Sequence, residues 1–589
     1  MARTVSPTLV HRVEIADLHA HLFRVTLTLA QPASGQCVSL PVWIPGSYLV
    51  REFSGQLQRL RAKQGRRRLS LDQLDKCTWQ VPCKAGEPLE IVYEVYANDP
   101  SVRTAMLSHE RGFFNATSLC LRVHGQEDLA QGLEVPAPKG QADWLLATGL
   151  QPVRVDRRGF GRYLAADYDD LADSPVTFGR LWSGQFKAGG VPHRFVVSGA
   201  PATFDGERLL KDAQKICETQ IRFWHDSGKP AFKQYVFMLH GVADGYGGLE
   251  HRNSTALICG RKDLPAVQRP KASEGYITLL GLISHEYFHA WNVKRLRPTQ
   301  FARYDYGREN YTQLLWFFEG FTSYYDDLLL RRAGLIDNAT FLKLLGKTIN
   351  QVLQTPGRAV QSVAQASMDA WVKYYRQNEN TPNATVSYYT KGALVALCLD
   401  LTLRSGTPAS SLDAVMRALW HRCKGGPMDQ DDLLTQLQAV SGRSFAAEIE
   451  RWVHGTQELP LQDLLQAHGV TILQEPDQLA QRLGLRIDES QGIKIKTVLS
   501  GGSAQEAGLS AGDEWLGIEV GKSKAQAWRL RKLDDLLLYA QEGDKIVALV
   551  SRDEQMLRLP LRLPAPGTTW RLAAQDPARL DSWLAAASA

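Results

Sequence analysis

The feature that most constrains this chain is the pattern H-E-x-x-H, formed by His285, Glu286 and His289. It lies in the apolar segment 277–292, ITLLGLISHEYFHAWN, which predicts a buried helix. Residues four apart share one helix face, so the two imidazoles can bind one metal ion, and zinc accepts neutral histidine nitrogen. Glu286 lies beside them, where it can act as general base on the attacking water. The alternative is a chance match on a core helix.

Length and composition restrict the class of protein. A chain of 589 residues is too long for one core, so we expect three or four domains. The net charge of +6 is spread over a large surface and gives no reason to expect nucleic-acid binding. The eight cysteines form no C-x-x-C pair, which predicts reduced thiols. We see neither a signal peptide nor an apolar run of about 18 residues, so we expect no membrane span and a cytoplasmic location.

The first part of the chain, residues 1–185, predicts a β-sandwich-like domain. Apolar and polar residues alternate with the period of a half-buried strand, most clearly at 23–29 and 89–96. Short segments of this kind are separated by Gly, Pro, Asn and Asp, as in antiparallel β architectures. This part shows no catalytic constellation of its own.

Three further regions follow the β-rich part. Residues 186–465 contain the H-E-x-x-H pattern and become mostly helical, which predicts the catalytic domain. Residues 466–565 alternate short strands with one short helix, and residues 566–589 form an Ala- and Pro-rich tail with room for a final helix. The chain is therefore predicted to be an α+β multidomain protein.

A second candidate metal ligand lies in residues 314–334, LLWFFEGFTSYYDDLLLRRAG, which predict a helix that ends at a glycine. Glu319 lies within its aromatic run, and an unpaired buried carboxylate is costly. A metal held by a neighbouring helix would be its partner, whereas the alternative is a surface glutamate. Ser323 and Asp326 share its helix face and could orient a ligand histidine, although a solvated face is equally compatible with the sequence.

Two other segments contain residue types that can contribute to a binding site. The glycines of residues 245–251, GYGGLEH, let the backbone approach another group closely. Tyr388 and Tyr389 precede an apolar helical run, and on residue type alone such tyrosines are usually packing residues.

Five separated motifs occur in order along the chain: PGSY at 45–48, GGLEH at 247–251, HEYFHAWN at 285–292, FEGFTSYY at 318–325 and YTKGA at 389–393. Together with the C-terminal segment, they resemble the glycyl aminopeptidase family of zinc metallopeptidases that carry a PDZ domain. The resemblance spans nearly the whole chain and implies a thermolysin-like, mostly α catalytic domain over 186–465 and a PDZ domain over 466–565. The middle of the chain is also similar to leukotriene-hydrolase-like aminopeptidases, in which two histidines and a downstream glutamate hold zinc.

The resemblance assigns a metal centre. It implies that His285, His289 and Glu319 hold one Zn²⁺ ion and that Glu286 is the general base. The spacing between His289 and Glu319 is longer than in the leukotriene-hydrolase-like group, so Glu309 stays the alternative third ligand.

The resemblance also assigns substrate contacts. Glu250 matches the acid that holds the free α-amino group of the substrate, and Gly247 and Gly248 lie in the same substrate-binding motif. Tyr389 matches the tyrosine that stabilises the tetrahedral intermediate, with Tyr388 as the alternative. The implied enzyme is an aminopeptidase of EC 3.4.11 type, which hydrolyses the first peptide bond of peptides with a free N-terminus and prefers Gly or Ala there.

The C-terminal stretch is similar to bacterial PDZ domains. Leu483, Gly484 and Leu485 match their carboxylate-binding loop, which captures peptide C-termini through backbone N–H groups and strand addition. The alternative is a PDZ fold that serves only as a packing module. Two rival functions remain open at this point: a PDZ-guided zinc endopeptidase, and a peptide-binding protein with an inactive metal site.

Overall fold

The computed structural model describes residues 7–225, 228–406, 410–521 and 525–586. Three main hydrophobic cores divide them into a β-rich N-terminal domain, a central domain and a smaller C-terminal module. The prediction of a multidomain α+β chain, with a β-rich N-terminal domain followed by a helical one, is confirmed. The thermolysin-like and PDZ assignments stay predictions.

An eight-stranded sheet is the largest layer of the N-terminal domain. Leu22–Leu29 and Leu89–Tyr96 pair antiparallel within it and turn alternate apolar side chains into the core. Two four-stranded sheets and short helices at Phe53–Gln56, Ala116–Leu119 and Tyr168–Ala172 contribute to the same core. In spatial order the strands are Gln151–Val155, Gly161–Ala165, Gln131–Val135, Leu9–Asp17, Leu22–Leu29, Leu89–Tyr96, Leu57–Gln64 and Arg67–Leu69; Leu145–Thr148, Val176–Gly179, Arg111–Phe114 and Ala105–Leu107; and Arg122–Val123, Cys37–Ser39, Thr78–Gln80 and Asp72–Gln73.

The central domain begins with a five-stranded sheet. Its spatial order is Leu181–Ala188, Val191–Ser198, Tyr235–Val242, Ser254–Gly260 and Tyr246–Glu250. The last of these, which we call the edge strand, pairs antiparallel with Ser254–Gly260 and has no strand on its other side among the described residues. An extended peptide can add to such an open edge.

Two buried helices of the central domain carry the motifs of interest. The HExxH helix, Glu274–Phe288, packs against the glutamate helix, Leu315–Arg332. Ser273 caps the first by accepting from the backbone N–H of Tyr276 at 3.1 Å. The second ends before Gly334, whose φ of +69° matches the predicted stop. The other helices are Gly206–Trp224, Arg261–Asp263, Thr299–Phe301, Asn338–Leu353, Pro356–Ala359, Val363–Met368, Thr381–Ala384, Thr390–Ser405, Leu412–Arg422, Gln430–Ser441, Ala446–Ile449, Glu450–His454 and Leu461–Ala467, with a strand pair Arg297–Pro298 and Pro427–Met428.

The HExxH helix is shorter than the predicted segment 277–292. It ends at Phe288, so His289 lies at its C-cap. The chain leaves the helix because the Asn292 side chain donates to Phe318 O and Thr322 Oγ1 of the glutamate helix, both at 3.2 Å. A tertiary contact therefore overrides the local helical pattern.

The C-terminal module has its own sheet and core. A two-stranded ribbon, Val470–Pro476 paired antiparallel with Thr568–Ala574, connects it to the central domain. Residues 566–589, predicted as a tail, contain the second ribbon strand and the helix Pro577–Leu584, whose Trp583 lies in the central core. The remaining elements are the helices Leu479–Leu483, Ser503–Glu506 and Leu533–Leu538 and the strands Leu485–Asp488, Ile493–Val498, Glu514–Val520, Gln526–Arg529, Lys545–Arg552 and Gln555–Arg562.

The eight cysteines are free thiols, and six of them are buried. Within the described ranges, no helix combines the length and the apolarity that a membrane span needs.

Candidate metal centre and substrate site

Three side chains from the two motif helices converge in the core of the central domain. Nε2 of His285 lies 3.0 Å from Nε2 of His289. Oε2 of Glu319 lies 3.2 Å from His289 Nε2 and 3.7 Å from His285 Nε2. Among the residues that the structure describes, this is the one group of His, Cys, Asp and Glu side chains whose ligand atoms come together closely enough to hold a metal ion.

The spacing of these atoms fits a zinc ion. Neighbouring ligand atoms around a tetrahedral ion with bonds of about 2.0–2.1 Å are about 3.3 Å apart, and the three separations observed here scatter around that value. Two imidazole nitrogens and one carboxylate oxygen also form a donor set that catalytic zinc sites use. Glu309, the alternative third ligand, lies outside the cluster, within electrostatic reach of Lys76 and Tyr311.

Hydrogen bonds orient both histidines. Nδ1 of His285 donates to Asp326 Oδ2 at 3.0 Å, and Nδ1 of His289 donates to the backbone carbonyl of Asn292 at 2.7 Å. With the proton on Nδ1, each ring turns its Nε2 lone pair toward the cluster. Of the two residues predicted to orient a ligand histidine, Asp326 and Ser323, Asp326 makes this contact.

The charges around the cluster favour a cation within it. Burial lowers the pKa of His285, but hydrogen bonds to Asp326 and Glu319 outweigh it, and the net pKa is raised well above the ordinary value. Burial also lowers the pKa of His289, but the negative charge of Glu319 and a hydrogen bond to it outweigh burial, so the net pKa is raised. Burial raises the pKa of Glu319, yet the two histidines hold it at about 2. A divalent cation supplies the positive charge that these groups otherwise obtain from protons.

Glu286 faces the same pocket with an unsatisfied oxygen. Its Oε2 is buried and has no hydrogen-bond partner among the described residues. Burial raises the pKa of Glu286 to about 7, which brings the carboxyl group near the range where it can take up and return a proton. Its Oε1 lies against the edge strand at Gly248, where a Cβ would come within 2.1 Å of it. The close approach predicted for the glycine segment is therefore confirmed at Gly248, which lies against Glu286.

Glu250 lies two positions further along the edge strand and is buried. A Cβ on Gly46, which has a φ of +95°, would lie 2.5 Å from Glu250 Oε1, so the N-terminal domain reaches the carboxylate through a glycine. Lys294 Nζ is 3.9 Å from Glu250 Oε1 but only 3.0 Å from Asp173 Oδ1. The closer partner of Lys294 is thus Asp173.

The two candidate tyrosines occupy different positions. The Tyr389 ring lies 6.3 Å from the ring of His285 at an interplanar angle of 28° and is half-buried. The Tyr388 ring is fully buried 4.8 Å from that of Tyr374, and its hydroxyl has no hydrogen-bond partner among the described residues. Tyr389 is therefore the tyrosine whose ring faces a candidate metal ligand.

The predicted PDZ loop lies far along the chain in the C-terminal module. Leu483 and Leu485 are buried, and Gly484 adopts a φ of +74° at the end of a short helix. The backbone N–H of Gly484 donates to Gln481 O at 3.0 Å, so it is already engaged. The structure therefore describes this loop as a helix cap.

Sequence reasoning missed two contributors to the site. The carbonyl of Asn292 orients His289, and Gly46 makes room for Glu250. Both residues lie in motifs that the sequence singled out, HEYFHAWN and PGSY, but the role of each becomes visible only when distant segments meet.

Comparison with known proteins supports the same conclusion. The family model described as M61 glycyl aminopeptidase matches residues 278–395, and the model of the peptidase M61 N-terminal domain matches residues 11–180. No curated protein sequence matches the chain.

Among solved structures, an aminopeptidase N family protein from Idiomarina loihiensis has 38% sequence identity to this chain and superposes with a TM-score of 0.93. The match covers 98% of this chain and 100% of the Idiomarina chain. An M1 zinc metallopeptidase from Deinococcus radiodurans is 16% identical over 77% of this chain and 94% of its own, with a TM-score of 0.46. The second likeness is too distant to inform the site. From the first likeness and the two family models, the chain belongs to the M61 glycyl aminopeptidase family and is a metallopeptidase that acts as an aminopeptidase.

Proposed function

We propose that the protein is a zinc-dependent aminopeptidase that removes small N-terminal residues, Gly or Ala, from peptides. The observation that carries this proposal is the cluster of His285, His289 and Glu319, with the unsatisfied carboxylate of Glu286 beside it. A purely structural metal site does not need that fourth, unpartnered group.

His285, His289 and Glu319 would hold the ion, and the proposal requires one ion. When bound, zinc supplies a Lewis acid that polarises a carbonyl and lowers the pKa of water toward about 7. Glu286 takes the proton of the attacking water and later returns it to the leaving amine. Its burial beside Gly248 raises the pKa of the carboxyl group, which makes Glu286 a stronger base than an exposed glutamate.

Glu250 binds the free α-ammonium of the substrate. It lies on the edge strand, two residues from the glycine that faces Glu286, so an amine held there places the first peptide bond next to the general base. Cleavage is then restricted to the first residue by geometry. The edge strand, including Gly247 and Gly248, offers backbone groups to the extended peptide.

Tyr389 donates its hydroxyl to the oxyanion that develops on the scissile carbonyl. Its position beside His285 supports this role, whereas Tyr388 is packed in the protein interior. The rings of Tyr48 and Tyr375 lie 5.9 Å apart, and the Tyr375 hydroxyl donates to the carbonyl of Gly46 at 3.5 Å. These aromatic groups lie on the segment that borders Glu250, which supports a preference for small residues.

The C-terminal module fits a PDZ-type module that binds peptide C-termini. Its strand Leu485–Asp488 lies at the edge of the sheet and could accept a peptide strand. Since the N–H of Gly484 is engaged in a helix cap, the carboxylate would have to displace that hydrogen bond. The eight free thiols support a reducing, cytoplasmic compartment.

The test is mass spectrometry of the zinc-loaded protein with a peptide that begins Gly-Ala, free and N-acetylated, beside the Glu286→Gln variant. We expect loss of glycine from the free peptide alone, and no cleavage by the variant. Internal cuts in both peptides would establish an endopeptidase instead. No cleavage of either peptide would favour a peptide-binding protein with an inactive metal site.

A further inference from the structure

Two arginines of the N-terminal domain reach the substrate site. Nη2 of Arg103 donates to the carbonyl of Gly248 at 3.5 Å, and a Cβ on Gly247 would lie 3.9 Å from Arg103 Nη1. Arg103 therefore lies against the edge strand at the residue that faces the general base. It comes from a loop of the β-rich domain, about 145 residues earlier in the chain.

The second arginine, Arg51, lies within electrostatic reach of the first. Its Nη2 donates to Ser47 Oγ at 2.7 Å, one residue after the glycine that borders Glu250. Burial, reinforced by the positive charge of Arg103, lowers the pKa of Arg51 to about 10. Two positive charges thus lie near the edge strand, Arg103 at Gly248 and Arg51 at Ser47.

Neither guanidinium has an acidic partner. Among the residues that the structure describes, no carboxylate lies within 4.0 Å of Arg51 or Arg103; Asp99 acts on Arg51 only from a greater distance. The Nε of each is buried without a hydrogen-bond partner. Both side chains are half-buried, and a guanidinium in such a position is normally paired, because an unsatisfied donor is costly to bury. The two guanidinium groups therefore have donors free to bind an anionic group of a ligand.

The distances along the edge strand indicate which anion. A strand rises about 3.3 Å per residue, so Gly248, next to Arg103, lies about 7 Å along the strand from Glu250. An extended dipeptide has about that length between its charged ends. A peptide whose ammonium lies at Glu250 therefore brings its carboxylate to the arginines after one or two further residues.

We propose that Arg103, supported by Arg51, binds the C-terminal carboxylate of di- and tripeptides and makes the enzyme selective for short peptides. The site then recognises both ends of a zwitterion, with Glu250 at the ammonium and the arginine pair at the carboxylate. A guanidinium suits this role because its planar fork matches a carboxylate. The inference rests on the proposed aminopeptidase function and adds its substrate class.

The test compares Gly-Ala and Gly-Ala-Ala with the same peptides as C-terminal amides. Wild-type protein should cleave the acids with a kcat/KM about 10- to 100-fold above that of the amides. Arg103→Gln should raise KM for the acids by that factor, change kcat little, and leave the amides unaffected. Arg103→Lys should recover part of the preference. Arg66→Gln, on an exposed turn of the same domain, is the matched control and should behave as wild type.

A binding measurement separates recognition from turnover. Calorimetric titration of Glu286→Gln with Gly-Ala and with its amide should give tighter binding of the acid, and adding Arg103→Gln should remove the difference. Equal cleavage of acids and amides by the wild type would overturn this inference alone. An equal loss on acids and amides in Arg103→Gln would also overturn it, because the arginine would then only brace the edge strand. If the wild-type protein releases glycine from neither the acids nor the amides, the proposed function is overturned, and this inference with it.

Discussion

Gly248→Ala tests the placement of Glu286, the proposed general base, with a single methyl group. The new Cβ would lie 2.1 Å from Glu286 Oε1, whereas such contacts are essentially never shorter than 3.0 Å. Either the carboxylate or the edge strand must therefore move by about 0.9 Å. The φ of Gly248 is not in the left-handed region, so the clash is the main cost of the substitution.

A displacement of about 1 Å at a reacting group costs roughly 10²-fold in rate, which corresponds to about 2.7 kcal/mol. We expect kcat/KM on a Gly-Ala peptide to fall by about that factor. Glu286 is not one of the three residues of the proposed metal cluster, so the zinc content per chain should stay at the wild-type value. Kinetics and metal analysis of the same preparation measure both quantities.

Gly281→Ala is the matched control for this experiment. It adds the same methyl group in the HExxH helix, where the nearest atom, an oxygen of Asp327, would be 3.4 Å away. The change should be tolerated and should stabilise the helix by up to about 1 kcal/mol. Activity of Gly248→Ala within threefold of wild type would refute the reasoning, because Glu286 would then not act from the position described.

Further predictions concern the other charged groups. Glu319→Ala should abolish stoichiometric zinc binding, and a purified variant that retains zinc on metal analysis would contradict its role as ligand. Glu250→Ala should reduce the discrimination between free and N-acetylated peptides; an unchanged ratio would remove it as the amine anchor. Asp326→Asn should weaken zinc affinity by about 10- to 100-fold, measured by competition with a chelator, because it orients a ligand histidine. Asp173→Asn should destabilise the protein by about 3–5 kcal/mol at pH 7, because it removes the closer carboxylate partner of the buried Lys294 and leaves only Glu250 at 3.9 Å. Burial raises the pKa of Asp173, but Lys294 and the neighbouring cations hold it well below its usual range. Its contribution is therefore fully present above about pH 4 and is lost as the pH falls toward the folded pKa, so denaturation curves of the variant should depend less on pH below 4 than those of wild type.

The convergence of His285, His289 and Glu319 could be predicted from the sequence because the information for it is local. The spacing of His285 and His289 fixes their common helix face, and the aromatic neighbours of Glu319 indicate a buried carboxylate. These three side chains do meet in the structure.

The rest of the site depends on contacts between distant segments. Gly46 and Arg103 reach the edge strand from the N-terminal domain, and no periodic pattern in the sequence reports a single residue in a loop. The end of the HExxH helix was misplaced for the same reason, since the side chain of Asn292 binds to the glutamate helix. Local propensity could not include that competing interaction.

The ribbon that carries the C-terminal module has a topological consequence. The chain leaves the central domain along Val470–Pro476 and returns along Thr568–Ala574, and the two strands face each other at Pro476 and Thr568. Asp477 and Gly567 close the pair with backbone and side-chain hydrogen bonds at 3.1 Å. The module is therefore an insertion at the tip of a β-hairpin that belongs to the peptidase. Its removal and replacement by a two-residue turn would leave an ordinary hairpin with both strands still attached.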